Sequence, residues 1–238
     1  MKKAVNIIKE RPFSIPFILF NKLVCSIRSA YYSRKIDNGG GKIIITKPFL
    51  SFKISKGKGA HLYIKGNFSV VPFIEGKNKT VIKMEDNSSL QINGDFTIGD
   101  GVRFFLDKKA SLEIGGKEKE PGAGITSDSL IMVKKNIVIG KDFLCAWNVF
   151  ISDSNWHSIK GQHHQGDIII GDHVWIANNS SVLKGSVIKN NCIVASNTKV
   201  INKEYIENSM IAGIPSKVIK TDVVWSRDMI DLSEQELI

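Results

Sequence analysis

Cysteine, proline and long apolar runs are all scarce in this 238-residue chain. Its three cysteines are too few and too scattered for a disulfide framework, which suits a reducing cytoplasm. Six prolines are too few for a disordered chain, while 42% hydrophobic residues are enough for a packed core. We therefore expect a soluble globular protein of the cytoplasm.

Acidic residues are nearly absent from the start of the chain. Residues 1–60 hold 13 lysines or arginines against two acids, whereas residues 61–238 hold 20 against 21. The net charge of +10 therefore belongs to the N-terminal part. Neither interleaved aromatic residues nor a known nucleic-acid-binding motif accompanies this charge, so we expect no nucleic-acid partner.

The N-terminal segment 1–38 mixes basic with apolar residues. Its apolar runs are too interrupted to span a bilayer, which needs about 20 mainly apolar residues. The run at 15–20 is also short for a secretory signal, and no small-residue cleavage site follows it. Two interpretations of a basic amphipathic helix stay open. It rests on the inner membrane as a peripheral anchor, or it packs its apolar face on the open end of the next domain.

Aliphatic residues recur every six positions in the second half of the chain, a period that fits neither a strand nor a helix. It fits a coil with flat sides, in which each side contributes one aliphatic residue to the core and a small or β-branched residue fills the space beside it. The aliphatic positions are Ile170, Ile176, Val182, Ile188, Val194 and Val200, and the companions four positions later are Val174, Ser180, Ser186, Cys192 and Thr198.

The same period is present earlier in the chain, so we predict one all-β solenoid, a parallel β-helix, over residues 39–221. Loops near 115–124 and 153–167 interrupt it. Segment 222–238 contains a capping box at Ser233 and Glu236, which predicts a short helix that closes the last coil. The earlier positions are Ile139, Cys145 and Ile151, then Ile92, Ile98, Phe104 and Ala110, and a ragged stretch at Leu62, Phe68 and Ile74.

Chemistry in such a solenoid has to come from loops and outer edges, because inward side chains form the core. Loop 153–167 holds three of the five histidines, His157, His163 and His164. One interpretation is a zinc hydro-lyase of the γ-carbonic anhydrase type. Adjacent histidines point apart on an extended chain and rarely bind one ion together, so we expect no metal. His173 follows the loop and is predicted to face outward without a catalytic role.

Three motifs carry a resemblance to a known family. They are Asp-Ser-Asn-Trp-His-Ser-Ile at 153–159, Ile-Gly-Asp-His-Val-Trp-Ile at 170–176 and Ala-Gly-Ile-Pro-Ser-Lys-Val-Ile at 212–219. Together with the six-residue repeats they resemble hexapeptide-repeat acyltransferases, and most closely the O-acetyltransferases of capsular polysaccharides, colanic acid and related sugars. The resemblance is strong over residues 139–220. It implies a left-handed parallel β-helix and a homotrimer with active sites between subunits. It also implies acetyl-CoA as donor and a sugar hydroxyl as acceptor.

The resemblance places the catalytic histidine at His157. An imidazole there can remove the proton of a sugar hydroxyl as it attacks the thioester, typically a gain of about 10²–10⁴-fold. Trp175 is the indole expected to stabilise the oxyanion, although it could simply provide packing. Asp153 either orients the imidazole or caps a turn, and the turn is slightly favoured.

The resemblance also implies that CoA lies along a groove between neighbouring solenoids. It would contact backbone amides at coil corners and basic residues near the C-terminal end. The matching positions here are Ala177, Ala195, Ser196, Lys203 and Lys217. Relatives commonly have glycine at the position of Ala177 and Gly-Ala-Gly at that of Ala195-Ser196-Asn197, and glycine permits closer approach and positive φ. Asparagine tolerates the left-handed conformation, so Asn197 is the mildest of these replacements.

Other functions remain compatible with these patterns. A non-catalytic trimeric scaffold of a glycan-assembly complex would need the same periodicity. Within the enzyme class, a different acyl donor or an amino-sugar nitrogen as acceptor also stays open.

Overall fold

The computed structural model describes residues 15–76 and 78–228. One helix, α1 (Ile15–Ser33), precedes a long series of short strands. In chain order these are β1 Lys42–Ile45, β2 Phe52–Lys56, β3 His61–Ile64, β4 Asn67–Val70, β5 Thr80–Met84, β6 Ser89–Ile92, β7 Phe96–Ile98, β8 Arg103–Leu106, β9 Ser111–Gly116, β10 Gly124–Ile125, β11 Leu130–Val133, β12 Asn136–Lys141, β13 Leu144–Cys145, β14 Phe150–Ser152, β15 Ile168–Ile170, β16 Trp175–Ile176, β17 Ser181–Leu183, β18 Val187–Ile188, β19 Ile193–Val194, β20 Lys199–Val200, β21 Glu204–Tyr205, β22 Met210–Ala212 and β23 Lys217–Lys220.

The strands form three parallel sheets, and each coil of the chain adds one strand to each sheet. Sheet I runs β1-β4-β7-β10-β13-β16-β19-β22-β23, sheet II runs β2-β5-β8-β11-β14-β17-β20, and sheet III runs β3-β6-β9-β12-β15-β18-β21. Only β23 is antiparallel to its neighbour among the described strands. In the regular part Ile176 pairs with Val194, one coil of three hexapeptides later. This architecture fits the left-handed β-helix predicted from the sequence.

The six-residue period predicts the core of the later coils correctly. All six aliphatic positions from Ile170 to Val200 are at most 1% exposed, and so are their five companions. Each aliphatic residue stacks on its equivalent in the next coil, which keeps like side chains in contact along the axis. Cys145 and Cys192 belong to this core as predicted, and burial raises the pKa of Cys145 to about 12.

The ragged early stretch contains one wrong prediction. Leu62 and Phe68 are buried, but Ile74 is 57% exposed, and Val70 and Ile82 fill the core of that part. Residues 72–76 form a loop instead of a coil side, because the buried carboxylate of Asp100 accepts hydrogen bonds from the backbone N–H groups of 73, 74 and 76.

Asparagine forms many of the corners between coil sides. Asn148, Asn179, Asn191, Asn197 and Asn208 all have φ between +54° and +59°. Asparagine tolerates this left-handed region better than most residues, since its short polar side chain can hydrogen-bond locally. The expectation for Asn197 therefore holds.

Helix α1 closes the first coil. The hydroxyl oxygens of Ser29 and Ser33 accept the backbone N–H groups of Ile45 and Ile43, each at 2.9 Å. The Arg28 guanidinium donates to two backbone carbonyls of segment 48–50, each at 2.6 Å. The two serine bonds satisfy N–H groups of β1 that would otherwise lie at an open sheet edge, and the Arg28 bonds hold the following loop.

The short helix predicted at the end of the C-terminal segment stays a prediction. Residues 222–228 contain no helix, and the capping box at Ser233 and Glu236 lies outside the described residues. The chain instead runs back across sheet I. The N–H of Val223 donates to the carbonyl of Asn208 at 3.0 Å, and Trp225 is 9% exposed. Val223 and Trp225 pack with Ile193 and so cover part of this sheet.

Candidate active site

Loop 153–167 joins β14 of sheet II to β15 of sheet III, and backbone hydrogen bonds hold its two arms together. The N–H of Asn155 donates to the carbonyl of His164 at 2.7 Å. The N–H of Gly166 donates to the carbonyl of Asp153 at 2.9 Å. The Lys184 ammonium donates to the carbonyl of His163, which fixes the loop to the next coil. The tip of the loop therefore projects from a defined base.

Trp156 occupies a strained backbone position directly before the predicted catalytic histidine. Its φ is +64°, which is uncommon for a bulky residue. The indole N–H donates to the hydroxyl of Ser152 at 3.0 Å, and the ring lies 5.5 Å from that of Phe105. The Lys134 ammonium is 5.8 Å from the ring centre. Strain of this kind persists only where surrounding contacts fix the conformation, and it clusters at functional sites.

His157 is exposed at the tip of this loop, and its imidazole forms no hydrogen bond with residues 15–76 or 78–228. His163 and His164 are exposed on the returning arm. Among the described residues, no three side chains of His, Cys, Asp or Glu in one chain form a cluster that could hold a metal ion.

Asp153 caps a turn, the interpretation that the sequence slightly favoured. It is fully buried, and its two carboxylate oxygens accept the backbone N–H groups of residues 134–136 at 2.7 to 2.8 Å. Burial raises the pKa of the Asp153 carboxyl, although these three donors act in the opposite direction. No contact joins its carboxylate to the imidazole of His157, so the orienting role has no support in a single chain.

We expect Asp153→Ala to destabilise the protein through the turn. It leaves three buried N–H groups without their acceptor, and each unsatisfied group costs about 1–3 kcal/mol. Asp153→Asn keeps one accepting oxygen and should lower the melting temperature less. Thermal unfolding and turnover of both variants check this. If Asp153 instead oriented the imidazole, Asp153→Asn would lower kcat strongly at an unchanged melting temperature.

Trp175 stands on the outer face of sheet I. Its neighbours in the sheet are Leu144 on one side and Ile193 on the other. The ring of Trp225 packs over Trp175 with 5.8 Å between centroids. The indole nitrogen of Trp175 forms no hydrogen bond with any described residue, which leaves that donor free for a ligand.

His173 is partly buried beneath the C-terminal segment, whereas the sequence predicted that it faces outward. Its ring stacks on that of Trp225 at 3.9 Å and 3°. Nδ1 lies 3.2 Å from Oδ1 of Asn191, and Nε2 lies 3.2 Å from a carboxylate oxygen of Glu120. The corner conformation, with φ of +53°, turns the ring toward the C-terminal segment.

Most residues expected at the donor groove lie on or directly after strands of sheet I, whereas Lys203 lies at the corner between sheets II and III. The N–H groups of Ala177 and Ala195 donate to carbonyls of the next coil at 2.8 Å, so these two amide hydrogens are not available to a coenzyme. The Ser196 hydroxyl donates to Asn178 at 2.7 Å. The Lys203 ammonium reaches the carbonyl of Ser216 at 3.5 Å, while Lys217 is exposed on β23.

A groove of about 260 Å³ lies on sheet I and is lined by Leu144, the neighbour of Trp175 in the sheet. Segment 117–123 forms its wall, because the carboxylate of Asp142 accepts the N–H groups of residues 118 and 119 and holds that segment against the coil. Arg227 donates to the carbonyl of Gly122 across the groove and has no ion-pair partner in the part of the chain that the structure describes. The floor includes Thr97 and Leu144.

The two groups of predicted catalytic residues do not meet within one chain. His157 projects from the corner between sheets II and III, and Trp175 lies on sheet I. In a three-sided coil, a corner between two sides faces away from the third. The contacts of the loop, to Phe105, Lys134 and Lys184, stay at that corner. One chain thus presents these two predicted catalytic residues on opposite sides of the coil.

A three-sided parallel coil of hexapeptides with a histidine-bearing loop defines the class of hexapeptide-repeat β-helix proteins. A family model described as bacterial transferase hexapeptide (six repeats) matches residues 167–202. The chain is 33% identical over 138 residues to a polysialic acid O-acetyltransferase of Neisseria meningitidis. The matched region covers 54% of this chain and 58% of that protein. The match thus spans less than two thirds of the relative's length.

Solved structures give the same result. The polysialic acid O-acetyltransferase OatWY is similar with a TM-score of 0.56 and 28% identity, over 84% of this chain and 93% of that chain. The polySia-specific acetyltransferase NeuO has a TM-score of 0.52 at 20% identity, over 78% of this chain and 94% of that chain, and shares the fold. The predicted resemblance is confirmed, since the chain is similar in sequence and in fold to hexapeptide-repeat sugar O-acetyltransferases.

Sequence reasoning missed Trp156, Trp225 and Arg227. Trp156 could have been noticed from its place next to His157. Nothing in the local sequence signals that Trp225 stacks on a residue 52 positions earlier, or that Arg227 reaches a groove 105 positions earlier.

Proposed function

We propose that this protein transfers an acetyl group from acetyl-CoA to a hydroxyl of a bacterial surface-polysaccharide sugar, with His157 as general base. The observation that carries the proposal is the loop, held at its base by backbone hydrogen bonds, that presents an exposed imidazole beside the strained Trp156. The similarity to polysialic acid O-acetyltransferases supports the reaction class.

The chemistry needs a base, an oxyanion donor and a leaving thiol. The His157 imidazole accepts the proton of the sugar hydroxyl while the oxygen attacks the thioester carbonyl. The negative charge that develops on the carbonyl oxygen is stabilised by the free indole N–H of Trp175. The C–S bond then breaks, and the imidazolium returns its proton to the departing thiolate of CoA. The products are the acetylated sugar and free CoA.

We further propose a homotrimer in which His157 of one protomer faces sheet I of its neighbour. The separation of the loop and Trp175 on opposite sides of the coil supports this arrangement, since a neighbouring copy supplies the missing half at each site. The donor would then lie along Ala177, Ala195 and Ser196. Lys203 and Lys217 would contact its phosphates as charge partners.

An acidic sugar is the acceptor that the groove on sheet I supports best. The Arg227 guanidinium lies at the groove with hydrogen-bond donors beyond the one given to Gly122, and guanidinium pairs with carboxylates in a bidentate geometry. The groove borders Trp175 through Leu144, one strand away. The relatives named above act on polysialic acid, according to their names. The free thiols of Cys25, Cys145 and Cys192 support a reducing cytoplasm as the location.

The test is a thiol-release assay with purified protein, acetyl-CoA and a panel of acidic and neutral bacterial polysaccharides. We expect CoA release and acetyl esters with an acidic polymer, and much slower release with neutral ones. Calorimetric titration with CoA addresses the scaffold alternative, because a scaffold has no reason to bind CoA. Binding of CoA without any transfer to sugar would contradict the acceptor, and no binding would contradict the enzyme.

A further inference from the structure

One face of helix α1 packs on the first coil, and the opposite face is exposed. Arg28, Ser29 and Ser33 turn inward and bond to the first coil. The opposite face contains Leu19 and Leu23, and its row of side chains at every fourth position continues through Ile27 and Tyr31. Side chains four apart lie above one another on a helix. The capping role therefore uses one side of α1 and leaves a continuous apolar stripe on the other.

The outward stripe gathers six exposed hydrophobic side chains on one side of a single helix. Its large apolar side chains are between 53% and 64% exposed; they are Phe17, Leu19, Phe20, Leu23, Ile27 and Tyr31. Phe49 is 80% exposed and lines the same depression as Phe17. Contiguous apolar surface of this kind marks an interaction site, because single exposed hydrophobics are normal and clusters are not.

The charge around the stripe is almost entirely positive. Residues 15–60 contain nine lysines or arginines and one acid, Asp37. Lys56 pairs with Asp37, and Lys47 pairs with Glu75. The other seven form no ion pair with any acidic residue that the structure describes. Arg34 is exposed at the C-terminal end of the stripe, and Lys22 is exposed on the side of α1 that borders the first coil near Thr46 and Lys47.

We propose that the outward face of α1 docks this protein on an anionic lipid surface. Apolar side chains enter the headgroup boundary, while the surrounding cations attract acidic lipids. A second copy of the chain is a poorer occupant. Its own α1 would bring the same positive charge into a symmetric contact, and lysine is depleted from protein interfaces. None of the described helices is long and apolar enough to cross a membrane, so the helix would lie in the surface plane.

Lipid binding by α1 does not depend on the acetyl-transfer chemistry. A protein bound to the membrane surface would meet a membrane-associated glycan by diffusion in two dimensions.

The experiment is co-sedimentation of the full chain with vesicles of phosphatidylcholine alone or with phosphatidylglycerol added. We expect binding to the acidic vesicles that weakens as salt is raised, and little binding to the neutral ones. Leu23→Glu with Ile27→Glu should lower the bound fraction by about tenfold or more. Lys22→Gln with Arg34→Gln should mainly remove the salt-sensitive part. Ile201→Glu with Ile206→Glu is the matched control, since both are exposed isoleucines on the last coils and should leave binding unchanged.

Two results would overturn the proposal. One is no vesicle association of the unaltered chain at low salt. The other is a changed particle mass in light scattering for Leu23→Glu with Ile27→Glu at unaltered vesicle binding, which would make the stripe a contact between copies. Acetyl transfer to a soluble acceptor, measured on the same variants, should stay at the wild-type rate. Failure of docking is thereby separated from failure of the enzyme.

Discussion

Replacing His157 with alanine is expected to lower acetyl transfer by about 10²–10⁴-fold. The imidazole is the group in the loop that can accept the hydroxyl proton, and without it the sugar attacks as a neutral alcohol. The side chain is exposed and makes no hydrogen bond with the described residues, so its removal should leave the melting temperature and the particle mass unchanged. Steady-state CoA release, thermal unfolding and light scattering together check the prediction.

His163→Ala is the matched control for this experiment. His163 is exposed in the same loop, and only its backbone carbonyl contacts Lys184. That contact survives the substitution, so turnover should stay close to wild type. Near wild-type turnover of His157→Ala would remove His157 from the mechanism, and equal losses in both variants would indicate damage to the loop.

Mixing two inactive variants is expected to restore activity if the site is shared between protomers. We expect Trp175→Ala to lose about 10²–10³-fold through the missing oxyanion donor. When His157→Ala and Trp175→Ala chains assemble together, some sites receive His157 from one protomer and Trp175 from its neighbour. Random assembly places both intact residues at about a quarter of the sites of a cyclic trimer. Turnover should therefore rise far above that of either variant.

The comparison is between chains assembled together and the same chains assembled separately and then pooled. Differently tagged chains, purified in two affinity steps, give the mixed particles. If mixed and pooled samples had equal turnover, each site would be built from a single chain, and the opposite placement of loop and Trp175 would have no catalytic meaning.

The core of the later coils could be predicted from the sequence because its register is regular. Ile176 and Val194 pair one coil apart, and the period of six needs no correction between them. The earlier coils carry insertions, so the same counting fails at Ile74. There the loop is held by Asp100, a contact between residues far apart in sequence that no local pattern contains.

The sequence was enough to locate the candidate site but predicted only part of its contacts. The motif placed His157 in a loop, and the turn role of Asp153 was favoured by its residue type. The contacts of His173 depend on Trp225 and Glu120, which come from a tail and a loop that cross the coils. Contacts between segments so far apart in the sequence follow no periodic pattern, so they become visible only in three dimensions.

The closure of sheet I at both ends has a consequence for solution behaviour. Stacked coils present identical backbone edges, and such edges could in principle join molecule to molecule into a growing fibre. Here hydroxyl groups of α1 saturate the first edge, and β23 folds back antiparallel over the last. A chain trimmed of both segments would expose two templates for indefinite end-to-end growth, so these termini set the length of the particle.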